Sequence, residues 1–352
     1  MKRTIKFNLK FTNTNKLKKL AELRKEYLNA VNFYIKQLTK RNLYVLENKE
    51  VQKFDCRLSY SFKQCAYRQA EKIWKGWRRG YKRNSKLPRF KGSLVLDQRF
   101  VKFEKGKNSF DYWIKISTLK KNKRVSIPIN NFEYADNYFG KWKLVNGYRL
   151  KKIGENWFVY LTFEKETPKK KEKGKEIGID IGVKKLMTTS DKNYYGREIE
   201  NLMDKIQRKQ QGSKAFYRAL KERNEYINRI VKQLPYKSLK TIVVEDIKDI
   251  FKNSRKNKKL SKVVRSKFQR WVYSYLFERI KQLTEATGVH LVSVSPKFTS
   301  QTCSACGFVH KLNRKGEDFF CRNCGYKSDA DYNASKNILQ FYLAQEFTLP
   351  CK

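Results

Sequence analysis

Hydrophobic and polar positions alternate at the start of the chain. Ile5, Phe7, Leu9 and Phe11 fall on one face and mostly Lys, Thr and Asn on the other, which predicts a half-buried strand. The period then changes. Leu17, Leu20, Leu28, Val31, Ile35 and Leu38 recur at helical spacing between Lys16 and Lys40, with Thr14 as a candidate N-cap, and a second helical region covers roughly 59–81. After Leu87-Pro-Arg-Phe-Lys-Gly the pattern returns to short strands from 94 to 163, including Arg99–Phe103, Tyr112–Ile116, Arg124–Ile129 and Trp157–Phe163, with Gly and Asn turns between them. The first strand is expected to join this β region, which makes the helical region an insertion into it. Glu166 to Glu176 is polar and charged and reads as a linker.

Beyond the linker the pattern is α/β. A short apolar strand, Ile177-Gly-Ile-Asp-Ile-Gly-Val, carries one carboxylate, and two further antiparallel strands end near Ile199. A long helical stretch is expected over about 201–234, then a buried strand, Leu239 to Val244, ending in acids. A helix over about 266–287, a strand at His290–Val294, a cysteine segment and a last helix complete the order. Strands ending in acids, in the order β-β-β-α-β-α-β-α, match a ribonuclease-H-like fold.

Carboxylates in apolar strands need a partner, a metal or an exposed strand end, because an unpaired buried charge costs several kcal/mol. Asp180, Glu245 and Asp331 raise this question, with Asp246 and Asp329 as close alternatives. Gathered at one sheet edge, three acids could hold two Mg²⁺ or Mn²⁺ ions about 3.5–4 Å apart for an in-line attack on phosphorus. Each acid taken singly could equally be a strand-end cap or a salt-bridge partner. The cysteines carry a sharper signal. Cys303-Ser-Ala-Cys306-Gly and Cys321-Arg-Asn-Cys324-Gly are near copies, and two such knuckles supply four thiolates for a structural Zn²⁺.

Composition narrows the partner. The 81 Lys and Arg against 33 Asp and Glu leave a net charge of +48, which calls for a polyanion such as nucleic acid. With only two histidines, His290 and His310, His-based hydrolytic centres are disfavoured. Two acid-free basic stretches, Lys72–Lys91 and Lys252–Lys267, are the candidate contact surfaces: Lys75, Trp77, Arg78, Arg79, Lys82 and Arg83 in the first, and Lys256, Lys258 and Lys259 in the second. No run approaches a membrane span, and the N-terminus lacks a signal-peptide core, so a cytoplasmic, nucleoid-associated protein without a membrane partner is expected.

Ile177–Val183, Ile242–Ile247, Ser295–Gly307, Phe320–Tyr326 and Asp329-Ala-Asp-Tyr-Asn-Ala-Ser-Lys-Asn-Ile resemble the TnpB family, transposon-encoded RNA-guided DNA nucleases related to the compact type V CRISPR effectors. The motifs cover roughly residues 175–340. The N-terminal half matches in layout only.

The resemblance implies a multidomain α+β protein. Residues 1–12 and 93–168 would form a wedge β-barrel and 13–92 an inserted helical recognition domain. A linker at 169–176 would lead to a RuvC-like (RNase H-like) α/β nuclease domain at 177–300 and 329–352, with a zinc ribbon, the target nucleic-acid-binding module, inserted at 301–328. It implies Asp180, Glu245 and Asp331 as the catalytic, Mg²⁺-binding acids, and it selects Asp331 over Asp329 because Asp331 directly precedes Tyr332-Asn333-Ala334. Cys303, Cys306, Cys321 and Cys324 would hold Zn²⁺. The implied partners are a guide RNA and double-stranded target DNA bearing a short adjacent motif, with one protein copy in the complex and sequence reading delegated to base pairing. The competing expectations are a guide-dependent repressor without cleavage and a guide-independent transposase or junction resolvase.

Overall fold

The protein is described by a computed structural model over residues 1–40, 46–79, 86–106, 109–182, 184–247 and 273–348. It is a multidomain α+β chain, and its Cα packing divides it into two compact units, Met1–Glu166 and Thr167–Lys352. No helix among the described residues is long and apolar enough to cross a membrane.

In the first unit, strand β1 (Lys2–Asn8) is followed by helices α1 (Thr14–Lys40), α2 (Asn48–Gln52) and α3 (Tyr60–Arg79). The Asn13 carboxamide, not Thr14, accepts from the Lys16 N–H at 3.1 Å, so α1 begins one residue earlier than the apolar spacing suggests. The chain then forms β2 (Leu94–Leu96), β3 (Val101–Lys105), β4 (Tyr112–Ser117), β5 (Arg124–Ile129), a single turn α4 (Glu133–Asp136), β6 (Lys143–Ile153) and β7 (Asn156–Glu164). These strands pair as two antiparallel sheets, β1-β7-β6-β2 and β3-β4-β5. β1 closes against β7 across the whole intervening sequence, with Lys2 opposite Glu164 and Asn8 opposite Phe158. The helices share one core with both sheets: Leu20, Tyr27, Tyr34 and Trp74 are buried together with Ile5, Ile127 and Leu161.

The second unit opens with β8 (Lys175–Asp180), β9 (Met187–Thr189) and β10 (Tyr194–Tyr195). Helices α5 (Ile199–Gln207) and α6 (Lys214–Val231) replace the single long helix expected there. The break lies at Gln211-Gly212-Ser213, where the Ser213 hydroxyl caps α6 by accepting from the Phe216 N–H at 3.0 Å. Strand β11 (Leu239–Glu245), helix α7 (Tyr273–Thr287) and strand β12 (His290–Val294) follow. Then come three short strands, β13 (Arg314–Lys315), β14 (Asp318–Phe320) and β15 (Lys327–Asp329), and the last helix, α8 (Ala330–Thr348).

The main sheet has the order β10-β9-β8-β11-β12. β11 runs parallel to both β8 and β12, while β9 and β10 are antiparallel. Strands buried on both faces read as continuous apolar runs, as Ile242-Val-Val does.

Helix α8 lies against β8 at Gly178. A Cβ there would meet the Ser335 carbonyl oxygen at 2.2 Å and the Leu339 nitrogen at 2.8 Å, both backbone atoms that cannot swing aside. Gly178→Ala is therefore expected to push α8 off the sheet and to destabilise the unit by about 1–3 kcal/mol, read as a lower denaturant midpoint.

Candidate functional site

β8 and β11 are parallel neighbours, and their register pairs Ile179 with Val244. The residues that follow, Asp180 and Glu245, therefore end adjacent strands at the same level. Parallel strands lie about 4.8 Å apart, so the two carboxylates repel. Asp331 is the second residue of α8, the helix held on β8 by the Gly178 contact. Burial pushes the Asp180 carboxyl well above its ordinary range, and the charges of Glu245 and Asp331 push it further. Burial also raises Glu245, although the Thr299 hydroxyl and Arg314 favour its ionised form. Part of Asp180 and of Glu245 still faces solvent, whereas Asp331 is buried. Asp180 and Glu245, with raised proton affinity and an open side, and Asp331 on the adjoining helix offer hard oxygen donors of the kind a divalent cation takes, although the three carboxylates do not lie as close together as the cysteine sulfurs do.

The two alternative acids are placed differently. Asp329 caps α8, its carboxylate accepting from the Tyr332 N–H at 2.9 Å, and it pairs with Lys185 at 2.6 Å. Asp246 is exposed beyond the strand end.

Side chains that periodicity does not single out complete the cluster. Arg314, in β13 between the two cysteine knuckles, donates from Nη2 to Asp331 Oδ1 at 2.8 Å, and its charge reaches Asp180 and Glu245. Lys185 Nζ lies 3.6 Å from Asp331 Oδ2 and 3.8 Å from Glu317. The Thr299 hydroxyl donates to Glu245 Oε1, and the Tyr273 hydroxyl donates to the Glu245 carbonyl at 2.5 Å. In a chain with 81 basic residues, one more Arg or Lys carries no sequence signal. Thr299 lies within Ser295–Gly307, one of the stretches that resemble the family, but its contact with Glu245 has no local signal.

The four cysteine sulfurs lie within 4.8 Å of one another, and no other set of three or more His, Cys, Asp or Glu among the described residues gathers as a metal site in this way. Cys303 and Cys324 are 3.8 Å apart, Cys306 and Cys321 3.6 Å. A tetrahedron of thiolates about 2.3 Å from a central ion has edges of about 3.8 Å, so the set fits one such ion. The knuckles are built alike. Gly307 and Gly325 adopt φ of 76° and 71°. Their N–H groups reach the carbonyls of Cys303 and Cys321 at 2.9 and 3.0 Å. The Phe308 N–H lowers the exposed Cys306 thiol below its usual range, whereas burial raises Cys303 and the neighbouring Cys306 sulfur raises Cys324.

Of the basic candidates, Lys75 pairs with Glu71 at 2.6 Å, Trp77 donates to the Lys86 carbonyl at 3.1 Å, and Arg78 stacks over Trp74 at 5.0 Å. Arg79 is at the end of α3. Lys82, Arg83, Lys256, Lys258 and Lys259 lie outside the described residues.

Residues 273–338 match the family model of the Cas12f1-like TNB domain. Over 71 residues the chain is 44% identical to the CRISPR-associated endodeoxyribonuclease Cas12f1 of Sulfoacidibacillus thermotolerans, a match that takes in 20% of this chain and 17% of that protein. The chain thus spans less than a fifth of that curated relative. A TnpB-like protein of Methanocaldococcus jannaschii is 28% identical over 274 residues, 77% of this chain and 82% of its own length. Among solved structures, the Cas12f1 chain of a Cas12f1–sgRNA–target DNA complex superposes with a TM-score of 0.59 at 17% identity, covering 91% of this chain and 81% of that one, a likeness of fold.

The purified chain is expected to carry about one tetrahedral metal ion at the cysteines. Cys321→Ser should lose it in elemental analysis and lower the melting temperature, since such an ion supplies folding energy.

Proposed function

We propose that the chain, similar to TnpB-like proteins and in fold to a compact Cas12f1 effector, is an RNA-guided DNA endonuclease of the TnpB family that hydrolyses phosphodiester bonds at Asp180, Glu245 and Asp331. The observation that carries this reading is the arrangement itself: carboxylates ending two adjacent parallel strands, both partly exposed, and a third on the helix packed across them. The five-stranded sheet and its flanking helices would be the ribonuclease-H-like (RuvC-like) domain. The cysteine set would hold zinc in the target nucleic-acid-binding ribbon. Residues 1–12 and 93–168 would form the wedge and 13–92 the recognition domain. We also assign it a nucleoid-associated location and one copy per complex. Double-stranded DNA with an adjacent motif would be the target, and base pairing to the guide would supply the sequence specificity.

Mg²⁺ or Mn²⁺ at the three acids would activate a water and stabilise the departing oxygen. The chain's own groups do the rest. Asp180, Glu245 and Asp331 present hard oxygens whose mutual repulsion favours cation capture over three free carboxylates. Arg314, reaching in from the ribbon, can pass from Asp331 to a phosphate oxygen and offset its negative charge. Lys185 keeps Asp329 and Asp331 together at the start of α8. Lys and Arg elsewhere neutralise the RNA and DNA backbones, which accounts for a net charge as large as +48.

The test is cleavage of matched DNA in Mg²⁺ by the protein carrying its guide RNA. Asp180→Asn should lower the rate by about a thousandfold or more, the equivalent of about 4 kcal/mol, with guide RNA still bound. Binding of matched DNA without cutting would replace this reading with a guide-dependent repressor. RNA-free protein that cuts branched DNA would indicate a resolvase. Arg314→Ala should slow cleavage by about 10–100-fold, the worth of one charge-assisted hydrogen bond, and leave guide affinity unchanged in filter binding.

A further inference from the structure

The side chain of Glu245, at the end of β11, is firmly engaged. Its Oε1 accepts from the Thr299 hydroxyl, while Oε2 has no donor among the described residues. Thr299 is 2% exposed. Its hydroxyl also lies 3.2 Å from the Pro296 carbonyl. A single hydroxyl hydrogen serves one acceptor best, and a carboxylate is the stronger one.

Thr299 is itself held in place. The Asn337 carboxamide nitrogen, on α8, donates to the Thr299 carbonyl at 2.8 Å and to the Thr302 carbonyl at 2.6 Å. Asn333, one turn earlier, donates to the Thr302 carbonyl at 2.8 Å and accepts from the Ser304 N–H at 3.0 Å. Asn333 and Asn337 are fully buried. Between β12 and the first knuckle the chain turns through Phe298 at φ 66°, a conformation that aromatic side chains rarely adopt. The N–H groups of Gln301 and Thr302 and the Thr302 hydroxyl all close on the Phe298 carbonyl, at 2.9, 2.9 and 2.8 Å. A turn this heavily determined places one hydroxyl on one carboxylate oxygen.

We propose that Thr299 is a positioning residue for the cation at the acid cluster: by occupying Oε1 of Glu245 it fixes the carboxylate rotation and leaves Oε2 toward the ion. This rests on the reading of the three acids as the metal-holding set. The Asn337 clamp ties the hydroxyl to the helix that carries Asp331, so the two acids are set by one hydrogen-bonded frame.

The test uses the full chain with its guide RNA, as wild type, Thr299→Val (same shape, no hydroxyl) and Thr299→Ser (hydroxyl kept). Two readouts are taken. One is the Mg²⁺ concentration that half-saturates DNA cleavage. The other, independent of cleavage, is Fe²⁺-dependent scission of the protein backbone near Asp180 and Glu245 with ascorbate and peroxide, titrated in Fe²⁺. Losing a hydrogen bond to a metal-holding carboxylate weakens metal affinity about 10–100-fold. Thr299→Val should therefore require at least about tenfold more of each ion, with guide affinity unchanged and cleavage recovered at high Mg²⁺, while Thr299→Ser stays within about twofold of wild type. A merely structural role would lower guide affinity or the maximal rate and would not be relieved by metal. The proposal is overturned if Thr299→Val keeps the wild-type half-saturation, or if Thr299→Ser is as impaired as Thr299→Val. Wild type that undergoes scission at the acids but never cuts DNA would defeat the nuclease reading and leave the positioning role measurable by scission. Wild type with neither property overturns both.

Discussion

Two carboxylates at the ends of neighbouring parallel strands cannot both remain ionised in a half-buried site without a counter-charge, and Asp331 adds a third negative group to Asp180 and Glu245. The second unit is organised around that repulsion. The sheet register sets the first two acids at one level, and the close seat of α8 on Gly178 brings in the third. Arg314 and Lys185 supply local positive charge by pairing with Asp331, and the Arg314 charge also reaches Asp180 and Glu245. Because the ion pairs themselves are made with Asp331, Asp180 and Glu245 remain the groups in greatest need of a further cation.

The cysteine ribbon is joined to the same cluster by more than chain connectivity. Its β13 carries Arg314 into the acids, and the segment entering its first knuckle carries Thr299 onto Glu245. Asn333 and Asn337 anchor that segment to α8. A metal at the four thiolates would thus stabilise the frame from which two of the cluster's partners extend, although it would stand apart from the chemistry. Separate electrostatic tasks fall to separate parts of the chain: local cations balance the acids, while the bulk of the positive charge is free for polyanions.

Much of the fold was legible in the periodicity. The helix of 14–40, the antiparallel strands and the apolar strand ending in Glu245 follow from local spacing of 3.6 or 2 residues, and spacing survives in a single sequence. The departures have local causes that outweigh the apolar period: Asn13 starts α1, and Ser213 caps a new helix where one long helix was expected. The strands of the first unit pair as two antiparallel sheets, and which distant strands become neighbours is decided by packing rather than by the strands' own patterns.

The same boundary divides the site. Asp180, Glu245 and the twin Cys-x-x-Cys-Gly knuckles could be named from sequence, because a carboxylate inside an apolar run and a four-residue thiol spacing are local anomalies. By pattern alone Asp329 and Asp331 were equivalent; the family resemblance favoured Asp331, and the tertiary structure gives Asp329 to the helix cap and Asp331 to Arg314. Arg314, Lys185 and Thr299 were likewise decided in three dimensions. The Thr299 hydroxyl meets Glu245 across 54 residues of chain, and Lys185 meets Asp329 across 144. Contacts of that span depend on where whole elements settle, so a basic or hydroxyl residue acquires its meaning only when the fold brings an acid to it.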